Sequence, residues 1–190
     1  MDGQTAKGAK KPSQTKSDTI RADRVGAGIQ RWRREFPDID SSGKAVIGRI
    51  LHLQEVILKE INKTLDRHQL KYPSYAILAT LRVNGAPYQM SPKALLDTLI
   101  LTSGGLSNLV RKLEADGLVR RKADHNDGRG VVVELTEAGR RRVEPAMRDH
   151  AKTELALVAS LLKEERMVTS KTLGKMIFNI RTNSAKFQQN

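Results

Sequence analysis

Cysteine is absent from the 190-residue chain, which excludes a disulfide framework, a thiolate metal site, a catalytic thiol and a cysteine-based redox sensor. No apolar window approaches the length of a membrane-spanning helix, and a mean hydropathy of -0.48 excludes an integral membrane protein. Acidic side chains are scarce beside basic ones: 21 Asp+Glu face 34 Lys+Arg, a formal charge of +13. That balance points to a polyanionic partner, nucleic acid ahead of an acidic membrane surface. The length accommodates one domain with appendages and is too short for a multidomain enzyme. Apolar material is sufficient for a core, at 38% of residues.

Residues 1–19 have only Met1, Ala6 and Ala9 as apolar side chains, so nothing there offsets the entropy of ordering, and a disordered basic arm is expected. It lacks the apolar stretch of a secretory signal. Lys7, Lys10, Lys11 and Lys16 could follow a phosphate backbone, or the arm could be a solvated tail. Residues 20–70 are expected to supply dimerisation helices. A helix candidate over 17–36 carries the only tryptophan, Trp32, and stops at Pro37. A longer helix follows, capped by Ser41 or Ser42. Its Ile47, Ile50, Leu53, Ile57 and Ile61 recur at helical spacing, and Leu51, Leu58 and Leu65 form a second stripe. A helix apolar on two faces needs cover on two sides.

Residues 71–135 read as a separate lobe. Pro73 opens a helix through Leu81, Asn84-Gly85 turns the chain, Tyr88-Gln89-Met90 is a short strand, and Ser91-Pro92 starts a brief helix. A further helix runs from Ser103 to about Ala115, ended by Asp116-Gly117. Strands Leu118–Lys122 and Val131–Leu135 flank a polar turn, giving a hairpin. In residues 136–190, Thr136 caps a helix bearing Val143, Met147, Ala151, Leu155, Val158 and Leu162, with a kink expected at Pro145. A last helix carries Leu173, Met176, Ile177 and Ile180 and completes the dimerisation layer. The fold class is mostly α-helical with a small β-hairpin wing. Helix, turn, helix and hairpin in that order define a winged helix-turn-helix, here between helices from both termini.

The second helix of that motif buries Leu106, Leu109, Val110 and Leu113 and turns Ser103, Gly104, Ser107, Asn108, Arg111 and Lys112 outward. Arginine reads guanine bidentately, asparagine reads adenine, serine reaches bases or phosphates, and glycine admits a phosphate to the helix start. Ser91 and Lys93, at the start of the preceding helix, join this DNA-facing set. At the hairpin tip Arg129 is a minor-groove or phosphate probe, and Asp127 either orients it or supplies turn chemistry. Enzyme signatures are weak. Ser160-Leu161-Leu162-Lys163 has no companion motif, Gly26-Ala27-Gly28 lacks a third glycine, and Asp124, His125 and Asp127 lack supporting ligands. No enzyme activity, metal or cofactor is expected.

The run Leu101-Thr102-Ser103-Gly104-Gly105-Leu106-Ser107-Asn108-Leu109-Val110-Arg111-Lys112-Leu113-Glu114, then Gly117-Leu118-Val119-Arg120-Arg121, Asp124-x-x-Asp127-x-Arg129 and Leu135-Thr136-x-x-Gly139, resembles the MarR family of transcriptional regulators over roughly residues 43–180. The match departs at the wing, where His125 replaces a usual proline and Gly128 a usual arginine. The resemblance implies a homodimer on a pseudo-palindromic operator, a repressor released by a small anionic aromatic effector. The block from Trp32 to Asp40 further resembles the urate-responsive branch. In that comparison Trp32 and Arg121 match the ligand set, while Ala76 and Leu109 replace an aspartate and an arginine. Urate is therefore disfavoured against another aromatic acid.

Arg49 and His52, one turn apart on the long helix, offer such an acid a carboxylate partner and a donor. With Trp32, Tyr75 and Arg121 they make up the expected effector set. A cytoplasmic, nucleoid-associated regulator follows, with duplex DNA, a second copy of itself and an aromatic acid as partners. The alternative is a sequence-nonspecific architectural DNA-binding protein with no effector. Competition at moderate salt separates them: a regulator retains one palindrome against excess random duplex, whereas an architectural protein releases both alike.

Overall fold

The computed structural model describes residues 23–99, 101–124 and 130–183. The chain divides into two compact units, Met1–Val56 and Ile57–Asn190. Helices α1 (Arg24–Glu35) and α2 (Ser42–Asp66) come first, and the boundary between units falls inside α2. The second unit continues with α3 (Tyr72–Val83), β1 (Gln89–Met90), α4 (Pro92–Thr98), α5 (Ser103–Ala115), β2 (Val119–Ala123), β3 (Val131–Leu135), α6 (Glu137–Leu157) and α7 (Lys163–Thr182).

In the first unit, Asp23 caps α1 by accepting a hydrogen bond from the Gly26 amide at 2.7 Å. The same carboxylate pairs with Arg49 of α2 at 2.7 Å, so one side chain both starts α1 and ties it to α2. These contacts hold its pKa below the usual aspartate range, the Gly26 amide first and Arg49 second. At Gly48 an added Cβ would lie 2.9 Å from Cγ1 of Val25, which shows how closely the two helices approach. The start of α2 departs from the expected serine cap. Asp40 accepts from the Ser42 amide at 2.8 Å, while the Ser41 hydroxyl accepts from Nε of Arg33. The charged Asp40 carboxylate is the stronger acceptor at a positive helix end. The first helix is described only from Arg24; the expected residues 17–22 lie outside the described range.

In the second unit one contiguous core forms where helices meet the sheet. Leu65, Ile77, Leu78, Leu81, Leu95, Leu113, Val119, Val133 and Val143 are fully buried, and each large aliphatic removed from water contributes about 2 kcal/mol. The sheet is antiparallel in the order β1-β3-β2, with Val119 opposite Leu135, Arg121 opposite Val133, and Met90 also opposite Val133. Strand β2 begins one residue later than expected, because Leu118 is taken up in closing α5: its amide donates to the Leu113 carbonyl. Tyr88 is not a strand residue. Its φ of 60° belongs to the turn after Gly85, although its carbonyl still accepts from the Leu135 amide at 3.0 Å.

Helix α6 passes through Pro145 without interruption. The proline leaves the Arg141 carbonyl without its helical donor, but Arg141 is exposed and solvent can replace it. The helix stops at Leu157, so Val158 and Leu162 do not extend its stripe as expected; Val158 is its C-cap and Leu162 the N-cap of α7. Among the described residues no helix is long and apolar enough to cross a membrane.

The junction of wing and α6 turns on Thr136 and Gly139. The Thr136 hydroxyl donates to the Gly117 carbonyl at 2.7 Å and accepts from the Gly139 amide at 3.0 Å. A Cβ at Gly139 would stand 2.1 Å from the Leu118 carbonyl oxygen. Backbone cannot yield there without disturbing β2. Gly139→Ala is therefore expected to destabilise the protein by at least ~2 kcal/mol, read as a lower urea midpoint with an unchanged slope.

Candidate nucleic-acid interface

Two capped helices present the interface. Ser91 accepts from the Ala94 amide at 3.2 Å to start α4, and Thr102 accepts from the Gly105 amide at 3.1 Å to start α5. The Ser91 hydroxyl, named above as a DNA contact, thus already serves as a cap. Lys93 is exposed in the first turn of α4. On α5, Leu106, Val110 and Leu113 are buried and Leu109 is half-buried, whereas Ser103, Gly104, Ser107, Asn108, Arg111 and Lys112 are all exposed. The face divides as helical periodicity dictates. Arg111 is partly ordered in advance, because its Nη2 donates to Oδ1 of Asn108 at 3.0 Å.

The wing strands add cations that the sequence reading did not assign. Arg120 and Lys122 alternate along β2 and so share one face, where both pair with Glu134 of β3. Arg120 is bidentate, at 2.9 and 2.8 Å, and Lys122 contacts Oε2, the oxygen that also accepts from Nε of Arg120. The Arg120 hydrogen bonds, with Lys122, hold Glu134 down at about 2. The Arg-Arg-Lys run signalled the cations, but their shared acid lies fourteen residues on, visible only once the strands pair. Arg121 points elsewhere: its amide donates to Oε1 of Glu114 at 3.0 Å, and its guanidinium lies 3.5 Å from the same carboxylate. Ser107, Arg111 and Arg121 rim a groove of about 410 Å³ over Leu106, Val110 and Val133. Asp127 and Arg129 lie outside the described residues.

The expected effector residues fall in both units. In the first, Trp32 is 37% exposed, stacks obliquely on Phe36 with centroids 5.2 Å apart and carries the Lys44 ammonium 4.1 Å from its ring. Arg49 is held by Asp23 and donates to the Ala45 carbonyl at 2.8 Å, and His52 is half-buried. In the second, Tyr75 is buried with its ring 4.7 Å from that of His150, and burial raises its hydroxyl to about 12. No cluster of metal-ligating side chains occurs among the described residues.

Known proteins share this architecture. Residues 59–145 match the family model described as transcriptional regulator SarA/Rot. The HTH-type transcriptional regulator PecS of Dickeya dadantii is 30% identical over 148 residues, 78% of this chain and 89% of that protein. Among solved structures, a mutant MarR from E. coli complexed with operator DNA superposes with a TM-score of 0.63 at 22% identity, covering 76% of this chain and 96% of that one. The organohalide-sensing regulator RdhR-CbdbA1625 in its 2,4-dichlorophenol-bound form gives a TM-score of 0.66 at 23% identity, covering 75% and 82%.

Two expectations follow. Arg111→Ala should cost on the order of 1–3 kcal/mol of operator affinity and relax preference at one base pair per half-site; an equal loss on random duplex in the same titration would make Arg111 a phosphate contact. Glu134 titrates lower in the folded chain than its ordinary value of 4.5, so its contribution is complete above that value and disappears as pH falls toward about 2. Acid unfolding monitored by circular dichroism should have a shallower limb in Glu134→Gln.

Proposed function

The chain belongs to the MarR family of winged-helix transcriptional regulators, and from that premise we propose that it is a homodimeric repressor released from a pseudo-palindromic operator by a small aromatic acid. It is a DNA-binding regulator of transcription, and its family relatives are regulators, not enzymes. The observation that carries the reading is the α5 face: short polar and basic side chains exposed on one side, aliphatic side chains sealed on the other. On a two-fold dimer, such helices would enter successive major grooves about one turn, roughly 34 Å, apart.

Dimerisation is supported by apolar surface that a single chain leaves uncovered. Leu155, Met167, Val168, Ile177 and Phe178 are each between 59% and 68% exposed, and α7 has no buried residue. In the first unit, Val46, Ile47, Leu51, Leu53 and Val56 of α2 are likewise exposed. Surface of this kind marks association. The wing residues Asp127 and Arg129 are proposed to touch DNA beyond the helix, and the regulator works on the chromosome in the cytoplasm.

The effector reading is supported by the chemistry of Arg49 and by the chlorophenol-bound neighbour. Arg49 already accommodates a carboxylate, that of Asp23, at its Nε and Nη2. An effector carboxylate would compete with Asp23 for these donors, with Trp32 supplying aromatic surface and His52 a donor. A hundredfold loss of DNA affinity requires about 2.7 kcal/mol of coupling between effector and operator.

Hydroxylated benzoates are expected to dissociate the operator complex, and Arg49→Ala to abolish that response with DNA affinity nearly unchanged. Calorimetry on the dimer and a mobility shift read the two effects; an Arg49→Ala protein that still responds refutes the assignment. The same titration on Tyr75→Phe and Arg121→Ala tests the members in the second unit. Sedimentation showing a folded monomer at micromolar concentration would overturn the dimer.

A further inference from the structure

Helices α3 and α6 carry a second concentration of positive charge, away from α5 and β2. Arg82, in the last turn of α3, donates through Nε to Glu144 of α6 at 2.6 Å. Arg140 lies 3.8 Å from the same carboxylate oxygen, and Arg148 also acts on it electrostatically, so Glu144 is held below the usual glutamate range chiefly by the Arg82 hydrogen bond. One carboxylate thus serves three guanidinium groups. Glu137, 3.4 Å from Arg140, is itself shared with Arg141. Arg148 has no ion pair among the described residues and is exposed. A helix–helix contact needs only one such pair, and the surplus cations cost repulsion unless an anion joins them.

The surplus is also held in place. The guanidinium groups of Arg82 and Arg140 lie 5.0 and 5.1 Å from the centre of the Tyr88 ring, and Nε of Arg140 is buried without a hydrogen-bond partner. Beside them opens a depression of about 280 Å³, where Arg82, Glu144 and Arg148 meet the side chains of Val83 and Met147. Val83 is 70% exposed, an uncovered aliphatic surface next to the guanidinium of Arg148 and the Arg82–Glu144 ion pair. Met147 is half-buried against the core and offers a pliable wall.

We propose that this depression binds a small organic carboxylate, with its oxygens on Arg148 and Arg82 and its apolar body on Val83 and Met147. Guanidinium forks match the geometry of a carboxylate, and the depression has room for a single ring. A bare oxyanion would satisfy the cations but leave the aliphatic wall in water. The ligand competes with Glu144 for Arg82, so binding exchanges an internal ion pair for an external one. This site shares no residue with the effector set built on Arg49 and stands independently of it.

The test follows the methionine methyl resonances of the full-length protein, with Met147 assigned from Met147→Leu, during titration with benzoate and, separately, with inorganic phosphate. Benzoate is expected to shift the Met147 methyl saturably, and phosphate to do so at least tenfold more weakly. Arg148→Ala, a change at an exposed side chain, should weaken the benzoate response about tenfold. Glu144→Gln should strengthen it, and Arg49→Ala should leave it unchanged. A Met147 methyl that benzoate does not move, or an Arg148→Ala protein that titrates like the parent, overturns the site. An equal response to phosphate overturns the organic carboxylate as its ligand, and loss of the response in Arg49→Ala assigns it to the other site.

Discussion

Everything the second unit does depends on one side of α5 being held without slack. Leu106, Val110 and Leu113 are no more than 3% exposed and join a single apolar cluster with Leu78 and Leu81 of α3, Leu95 of α4, and Val119 and Val133 of the sheet. Interiors packed at crystal-like density do not let a helix rotate freely about its axis. The opposite face is therefore fixed in direction, and side chains as short as Ser107 and Asn108 can act as a defined surface. The wing is indexed to the same core through Leu118, whose amide closes α5 and whose carbonyl receives the Thr136 amide.

Electrostatics follows a repeated arrangement. Glu114, Glu134 and Glu144 each pair with an arginine of another element, so these three acids are used internally, at the joints between elements. Glu134 joins two strands and Glu144 joins two helices. The rest of the basic surplus is left facing outward, which suits a polyanion: long-range attraction comes from net charge, and orientation from the few cations already fixed by an internal acid.

Asp23 has the same role in the first unit, where it caps α1 and pairs with Arg49. Such a contact is structural, and under the proposed effector reading another carboxylate would take the same donors. The apolar faces of α2 and α7 show a different economy. They are exposed in one chain, and in the proposed dimer association would bury them, so that folding and assembly would draw on the same side chains.

The order of elements was legible along the chain, because hydrophobic period, Pro73, Pro92 and the caps Ser91 and Thr136 are local signals, whereas the cap Thr102 emerged only in the structure. The sequence by itself also determined the outward face of α5, since helical spacing assigns faces without reference to neighbours. The spacing Thr136-x-x-Gly139 was legible as a motif, but its cause was not: the fold brings the Leu118 carbonyl to within 2.1 Å of where a Cβ would stand. Likewise, sequence could count arginines but not assign their acids, because Glu134 meets Arg120, and Glu144 meets Arg82, across fourteen and sixty-two residues. It misplaced the cap of α2 on serine and missed the turn geometry of Tyr88, where a neighbouring carboxylate and a left-handed backbone overrode local preference. Propensity and period are properties of neighbours along the chain, whereas ion pairs, close approaches and cavities belong to segments that meet only when the core closes.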